Sequence, residues 1–241
     1  MPANLTRWEV QPHGPLTKLD AGLFVVDGEI RMPLGNFPRR MTIAALSGGR
    51  SAIWSAICVD DAVLAKIEAI GTPSVLVVPG MAHRRDVAPW KARYPAIKVV
   101  CPPGAVEKVA EVVHVDATDD AAFDDEAVSF EVVPGTGGAE GALVVRRRKG
   151  RSLVLNDTLA NVRHPRGLGA WLMTRLFGFG AHGPRMPRLA KRMMVKDAAA
   201  LAEAMRRWAK LPGLARVIPS HGDVIEGGAP AALLAAASRI G

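Results

Sequence analysis

The sequence predicts an α/β fold. Three observations carry that expectation. Short apolar runs bounded by turn residues recur through the first two thirds of the chain. A strand–helix–strand alternation with short links runs from Ser74 to Cys101. An amphipathic helical stretch after Asp197 and a terminal helix rich in Ala and Leu flank the last strand. Strands alternating with helices are the pattern of sheets covered by helices.

The elements follow in order. Leu23 to Val26 alternates weakly, and Met41 to Leu46 (MTIAAL) is an apolar run. Ser51 to Ile57 (SAIWSAI) follows the turn SGGR, so these two runs read as a hairpin. Asp60 or Asp61 caps a helix to Ile70, with Val63, Leu64, Ile67 and Ile70 on one face and Gly71 ending it. Ser74 to Val78 (SVLVV) is apolar throughout, as a strand buried on both faces requires. Val87 to Tyr94 reads as a short helix stopped by Pro95, and Ile97 to Cys101 as the next strand, which makes a βαβ unit. Asp116 to Glu126 is an acidic surface stretch. Phe130 to Val133, Ala142 to Arg146 and Ser152 to Leu155 are three further strands, the last two joined by a solvated tip, RRRKGR. Asp197 caps a helix with Leu201, Met205 and Trp208 along one side. Leu214 to Ile218 is the last strand. Ala231 to Ile240 is a terminal helix with Pro230 in its first turn.

Composition sets bounds. The 241 residues are 49% hydrophobic and 22% charged, ordinary globular values, and they read as one domain spanning 1–241. Aromatics are only 5%, so aliphatic side chains must fill the core. Cys58 and Cys101 lie in apolar stretches and read as buried free thiols. The opening MPANLTRWEV has neither the basic nor the apolar region of a secretory signal, no apolar run reaches membrane-spanning length, and the chain reads as cytoplasmic.

Net charge is +8, and all of the excess lies in one segment. Between Thr158 and Lys196 stand Arg163, Arg166, Arg175, Arg185, Arg188, Lys191, Arg192 and Lys196, with no Asp or Glu. The same stretch carries Trp171, Leu172, Leu176, Phe177 and Phe179. Residues 159–196 therefore read as a basic, lid-like insertion or helical hairpin that packs its apolar side on the domain, with its cations solvated or meeting an anionic substrate. A contact with phosphates of lipid or nucleic acid and a homodimer contact are the competing readings. No nucleic-acid-binding motif accompanies the charge.

Three motifs stand at strand ends, where loops of α/β folds converge on one crevice. They are VLVVPGMAHRRDVAPW with His83, SLVLND with Asp157, and RVIPSHGD with His221. A strand followed by a His cluster, a later strand ending in Asp and a final Pro-x-His-Gly turn together resemble the metallo-β-lactamase superfamily, over roughly Met41 to Ile225. The runs PLGNFPRRMTIAAL, AHRRDVAPWKARYP and IPSHG look most like a branch of it known as a domain of unknown function. The resemblance implies a four-layer αββα sandwich.

It also implies losses. The family's His-x-His-x-Asp-His motif falls on Val78, Gly80, Ala82 and His83, so only its last His remains. The His of the family's third motif falls on Thr136. The first metal site is gone by position, whereas His83, Asp157 and His221 keep three of the second site's four ligands. Two imidazoles and a carboxylate suit one Zn²⁺ or Fe²⁺ ion; a site with no ion at all is the other outcome. The expected activity is a metal-dependent hydrolase of a small anionic ester, thioester or phosphate-bearing substrate, with Asp157 also orienting the attacking water. The alternative is a non-catalytic anion-binding or interaction module in which arginines replaced the metal. Arg84, Arg85, Arg188 and Arg192 are the candidate anion-binding residues. Asp86 is a partner for Arg84 or Arg85, and Glu140 a candidate replacement ligand. His13, His114, His164 and His182 lack partners at metal-like spacing.

Overall fold

A computed structural model describes residues 3–32, 35–165 and 167–240. Arg166, one of the basic residues named above, lies outside them.

Two sheets form the centre. The first runs in the order β1 (His13–Asp20), β2 (Leu23–Met32), β3 (Gly35–Leu46), β4 (Arg50–Trp54), β5 (Thr72–Val77), β6 (Lys98–Val100). Its first four strands are antiparallel neighbours, and β4, β5 and β6 are parallel. The second sheet runs β11 (Ile225–Glu226), β10 (Leu214–Pro219), β9 (Gly150–Leu155), β8 (Gly141–Arg147), β7 (Val128–Val132), with β9 and β10 parallel. The helices are α1 (Asp61–Glu68), α2 (Val87–Arg93), α3 (Val106–Ala110), α4 (Leu168–Phe177), α5 (Arg188–Met194), α6 (Ala198–Ala209) and α7 (Ala229–Ala237).

Period-two alternation explains the layering. On β4 and β5, Ile53 and Leu76 pack outward with Val63, Leu64 and Ile67 of α1 and Val87 and Trp90 of α2. Their neighbours Ala52, Trp54, Val75 and Val77 point inward and meet Leu143, Val145, Val154 and Ile218 of the second sheet. On that sheet Leu153, Leu155 and Val217 face the other way, onto Leu201, Met205 and Trp208 of α6 and Leu233 of α7. Alternate side chains of a strand point to opposite faces, so strands apolar at every position must be covered on both. Three apolar interfaces make four layers: helices, sheet, sheet, helices. Each fully buried Leu, Ile or Val contributes roughly 1.5–3 kcal/mol. The αββα expectation is the architecture observed.

Local signals agree with the elements. Asp60 Oδ1 accepts from Val63 N at 2.7 Å and starts α1, and Asp197 Oδ1 accepts from Ala200 N at 2.9 Å and starts α6. Both cysteines are free and buried, and burial pushes the Cys101 thiol up to about 11 and the Cys58 thiol higher still. Such thiols stay protonated and unreactive.

Several details differ from the sequence reading. Strand β1 escapes it because Gly14 and Pro15 interrupt the apolar alternation. The second hairpin strand stops at Trp54, three residues short of Ile57, because Ser55 turns to a positive φ of 54°. Helix α7 starts at Ala229, since Pro230 occupies its first turn. The RRRKGR tip is only partly solvated: Arg147 folds back onto the carbonyls of Ala45 and Gly22 and ties the two sheets together. Among the described residues no helix is long and apolar enough to cross a membrane.

Candidate metal centre

His83, Asp157 and His221 meet at the carboxyl ends of the central strands. His83 follows β5, Asp157 follows β9 and His221 follows β10. Each offers a ligand atom, and the three atoms lie within 4.8 Å of one another. Nε2 of His221 is 3.3 Å from Nε2 of His83 and 3.2 Å from Oδ1 of Asp157; Nε2 of His83 is 3.9 Å from Oδ2 of Asp157. Donors about 2.1 Å from a shared ion in tetrahedral geometry stand about 3.4 Å apart. The two spacings at His221 match that value, and the His83–Asp157 contact, through the other carboxylate oxygen, is longer.

The first sheet holds the His221 turn. Arg40 donates through Nη1 to the carbonyl of Pro219 at 3.0 Å, and its Nε reaches Asp27 at 2.6 Å. Trp54 Nε1 donates to Ser220 Oγ at 3.1 Å. Gly222 is required here: its φ is +93°, and a Cβ would lie 2.2 Å from the Asn161 carbonyl oxygen. His221 Nδ1 lies 2.8 Å from the Pro38 carbonyl oxygen. A carbonyl only accepts, so Nδ1 carries the hydrogen and Nε2 of the neutral ring is a bare lone pair facing the cluster.

Ser55 Oγ lies 2.7 Å from Nδ1 of His83 and, being donor and acceptor, can pair with either tautomer. Its hydroxyl accepts from Nδ1–H in the tautomer that leaves Nε2 bare. Two bare ring nitrogens 3.3 Å apart repel unless a proton or cation lies between them. This donor chemistry fits a divalent ion of the Zn²⁺ or Fe²⁺ type.

Electrostatics follow from burial. Burial lowers the His83 pKa to about 4, Asp157 opposes this, and His221 and Arg39 add to it. Burial pushes Asp157 upward, but a proton on His221 Nε2, through its hydrogen bond and charge, and the charge of a protonated His83 hold its carboxyl below the usual range; in the metal-binding state an ion would take the place of that proton. Glu140 goes the other way: burial, then the Asp157 charge, push it well above its ordinary value. Of the two carboxyl groups, Glu140 is the one whose burial and negative neighbour favour the protonated form.

Glu140 is not part of the three-ligand group, so its expected role as a replacement ligand gives way to another. Its Oε2 accepts from Asp157 N at 3.1 Å and its Oε1 from Asn156 Nδ2 at 3.3 Å. Its Oε1 also stands 2.1 Å from where a Cβ on Gly80 would be. The resemblance would place a histidine at Gly80, and the Glu140 carboxyl fills the space a side chain there would need. Thr136, at the other lost histidine, is buried and donates to the Val133 carbonyl at 2.7 Å.

The arginines are corrections. Arg84 donates to Glu111 at 2.7 Å and to the Lys108 carbonyl; Arg85 reaches Gln11 at 3.2 Å and the Ala3 carbonyl. Both turn to neighbouring loops because acceptors stand there. Asp86 pairs with neither: it takes a two-pronged contact from Arg39, a buried arginine the sequence did not single out, and accepts from Cys58 N at 2.9 Å. Arg188 contacts the Leu176 carbonyl at 3.5 Å, and Arg192 is exposed on α5.

The basic segment nevertheless reaches the centre. Asn161 N donates to the His221 carbonyl at 2.9 Å, and Phe179 packs on Phe37 with ring centres 4.5 Å apart. Phe37 in turn lies 5.0 Å from the His221 ring, and Phe179 lies 6.2 Å from it. These two rings wall the apolar side. Phe179 belongs to the segment the sequence marks as lid-like, whereas Phe37, Pro38 and Ser55 were not singled out, because each acts through backbone or packing rather than through a ligand motif. A cavity of about 470 Å³ opens beside the turn, lined by Pro38, Arg39, Arg40, Arg163, Gly222 and Asp223 among others, but not by His83, Asp157 or His221.

Comparison with solved structures defines the class. The chain is similar to the metallo-beta-lactamase FIM-1 from Pseudomonas aeruginosa in its mono-zinc form, with 15% identity, 99% of this chain and 97% of that chain covered, and a TM-score of 0.61. A metallo-beta-lactamase from Erythrobacter litoralis matches with 14% identity over 93% and 96% of the two chains, at a TM-score of 0.63. One from Hirschia baltica matches with 14% identity over 95% and 98%, at 0.59. No family model and no curated protein matches the sequence. The chain has the metallo-β-lactamase fold, far diverged in sequence from these neighbours.

Proposed function

We propose that this chain is a single-metal hydrolase. One ion would be held by His83 Nε2, His221 Nε2 and the Asp157 carboxylate, and would supply a water acidic enough to attack near neutral pH and a positive charge for the developing oxyanion. The observation that carries the reading is the spacing of the three donors with both Nε2 lone pairs turned inward. The chain's own residues prepare the rest. The Pro38 carbonyl holds His221 in the ligating tautomer, and Ser55 orients the His83 ring. Asp157, ionised and fixed through its backbone by Glu140, orients the nucleophile as a general base would. Phe37 and Phe179 exclude water from one side.

A small anionic ester, thioester or phosphate-bearing substrate fits the concentration of cations in the neighbouring segment. The anion-binding alternative rests on the lost first metal site and the concentrated charge; two of its four candidate arginines, Arg84 and Arg85, turn their guanidinium groups to Glu111, Gln11 and backbone carbonyls. Metal analysis of protein purified without chelator tests the proposal, with His221→Ala alongside. One equivalent of Zn or Fe in the parent and loss in the variant are expected. A parent chain that carries no stoichiometric metal, and takes up none on titration, rejects it.

A further inference from the structure

Among the described residues, helices α4 and α5 leave six large apolar side chains uncovered, against the expectation that this segment packs its apolar side on the domain; Met194 is the one that α5 buries. Trp171 is 44% exposed, Leu172 45%, Leu176 57% and Phe177 38% on α4; Leu189 is 49% and Met193 60% exposed on α5. These are six of the nine large exposed hydrophobics among the described residues. Leu172 and Leu176, like Leu189 and Met193, are four apart and share a helix face. The two helices are neighbours where α4 ends: Arg188 Nη1 lies 3.5 Å from the Leu176 carbonyl, and a Cβ on Gly178 would meet Arg188 Cγ at 3.1 Å. A patch of this kind is a binding surface.

The charge around it selects the partner. Arg175 lies over the Trp171 ring at 4.4 Å, and Arg188 and Arg192 repeat at four-residue spacing on α5 beside Leu189 and Met193. The surrounding segment holds no carboxylate from Thr158 to Lys196 and carries the chain's whole +8 excess. A second copy would bring the same cations face to face. A nucleic acid would meet the cations but would leave Leu172, Leu176, Leu189 and Met193 without an apolar counterpart. An anionic bilayer surface satisfies both, since its headgroups take the guanidinium groups and its acyl boundary takes the aliphatic side chains.

We infer that the α4–α5 surface docks on anionic lipid membranes. The segment is anchored for this: Ala160 and Arg185 exchange backbone hydrogen bonds of 2.9 and 3.0 Å, and Lys191 Nζ is tied to the carbonyls of Arg239 and Ile240. The surface is thus presented by a segment fixed to the body of the protein. Nothing in this inference depends on the metal.

The full chain is sedimented with vesicles of phosphatidylcholine alone and of equal parts phosphatidylcholine and phosphatidylglycerol. Binding to the mixed vesicles only, reversed by high salt, is expected. Arg175→Gln and Arg192→Gln each weaken it roughly fivefold. Leu172→Ser with Leu176→Ser removes it while leaving the thermal melt unchanged, because these side chains are exposed in the free protein. Equal binding to neutral vesicles, no binding to either, or full binding by the Leu172/Leu176 double variant overturns the inference. So does self-association in lipid-free buffer that this double variant abolishes, which would assign the face to a second copy.

Discussion

Ser55 Oγ stands 2.7 Å from Nδ1 of His83, on a residue forced to a positive φ of 54° at the end of β4. In the tautomer that would bind a metal through Nε2, this hydroxyl accepts the Nδ1 hydrogen. A left-handed backbone at a buried non-glycine residue costs on the order of 1–3 kcal/mol, so local energy alone would not place serine there. Ser55→Ala leaves His83 Nδ1 without its partner and frees the ring to change tautomer. We predict metal affinity about 10–100-fold weaker by competition with a chromophoric chelator, and recovery in Ser55→Thr only where the αL turn is kept. Unchanged affinity in Ser55→Ala would show that the hydroxyl does not set the tautomer.

His83 makes the metal-free chain acid-sensitive. Its folded pKa is about 4 against 6.5 for the free ring. Between those values the unfolded chain holds a proton that the folded chain does not, so stability present above pH about 6.5 is lost as pH falls to about 4. The loss amounts to roughly 3 kcal/mol. Asp157, His221 and Arg39 are the charged groups facing the ring, and Asp157, held low, titrates below this window. Urea unfolding of chelator-treated protein across the window should show the decline, and His83→Gln should flatten it.

Gly80 and Glu140 compete for one space. A Cβ at residue 80 would lie 2.1 Å from Glu140 Oε1. Gly80→Ala is expected to destabilise by roughly 1–3 kcal/mol through overpacking, and Glu140→Ala in the same chain to restore part of the loss. Additive thermal shifts in the double variant would refute the shared-space account.

The Arg39–Asp86 pair is buried on both sides, with side chains 6% and 1% exposed. Asp86→Ala leaves the guanidinium charge and the Cys58 amide unpaired. A loss of about 3–5 kcal/mol in chemical denaturation is expected. An exposed pair such as Arg206 with Glu203 should cost under about 1 kcal/mol when broken.

The apolar runs MTIAAL, SVLVV and SLVLND, with the caps Asp60 and Asp197, were legible as elements because burial on both faces of a strand and capping of a helix leave their mark on adjacent residues. The three motifs at strand ends likewise marked His83, Asp157 and His221, since strands of one αββα sandwich end at one crevice. What only the tertiary structure decided is which groups turn the donors inward and which do not reach them. Pro38 contributes a carbonyl that any residue has, and Ser55 a hydroxyl with no motif around it. Arg84 and Arg85, two charges next to a site histidine in the chain, leave it because Glu111 and Gln11 offer acceptors from other loops. Sequence neighbours share a strand or a helix face; hydrogen-bond partners are chosen among groups 27 to 183 residues apart, and their positions exist only once the sheets have packed.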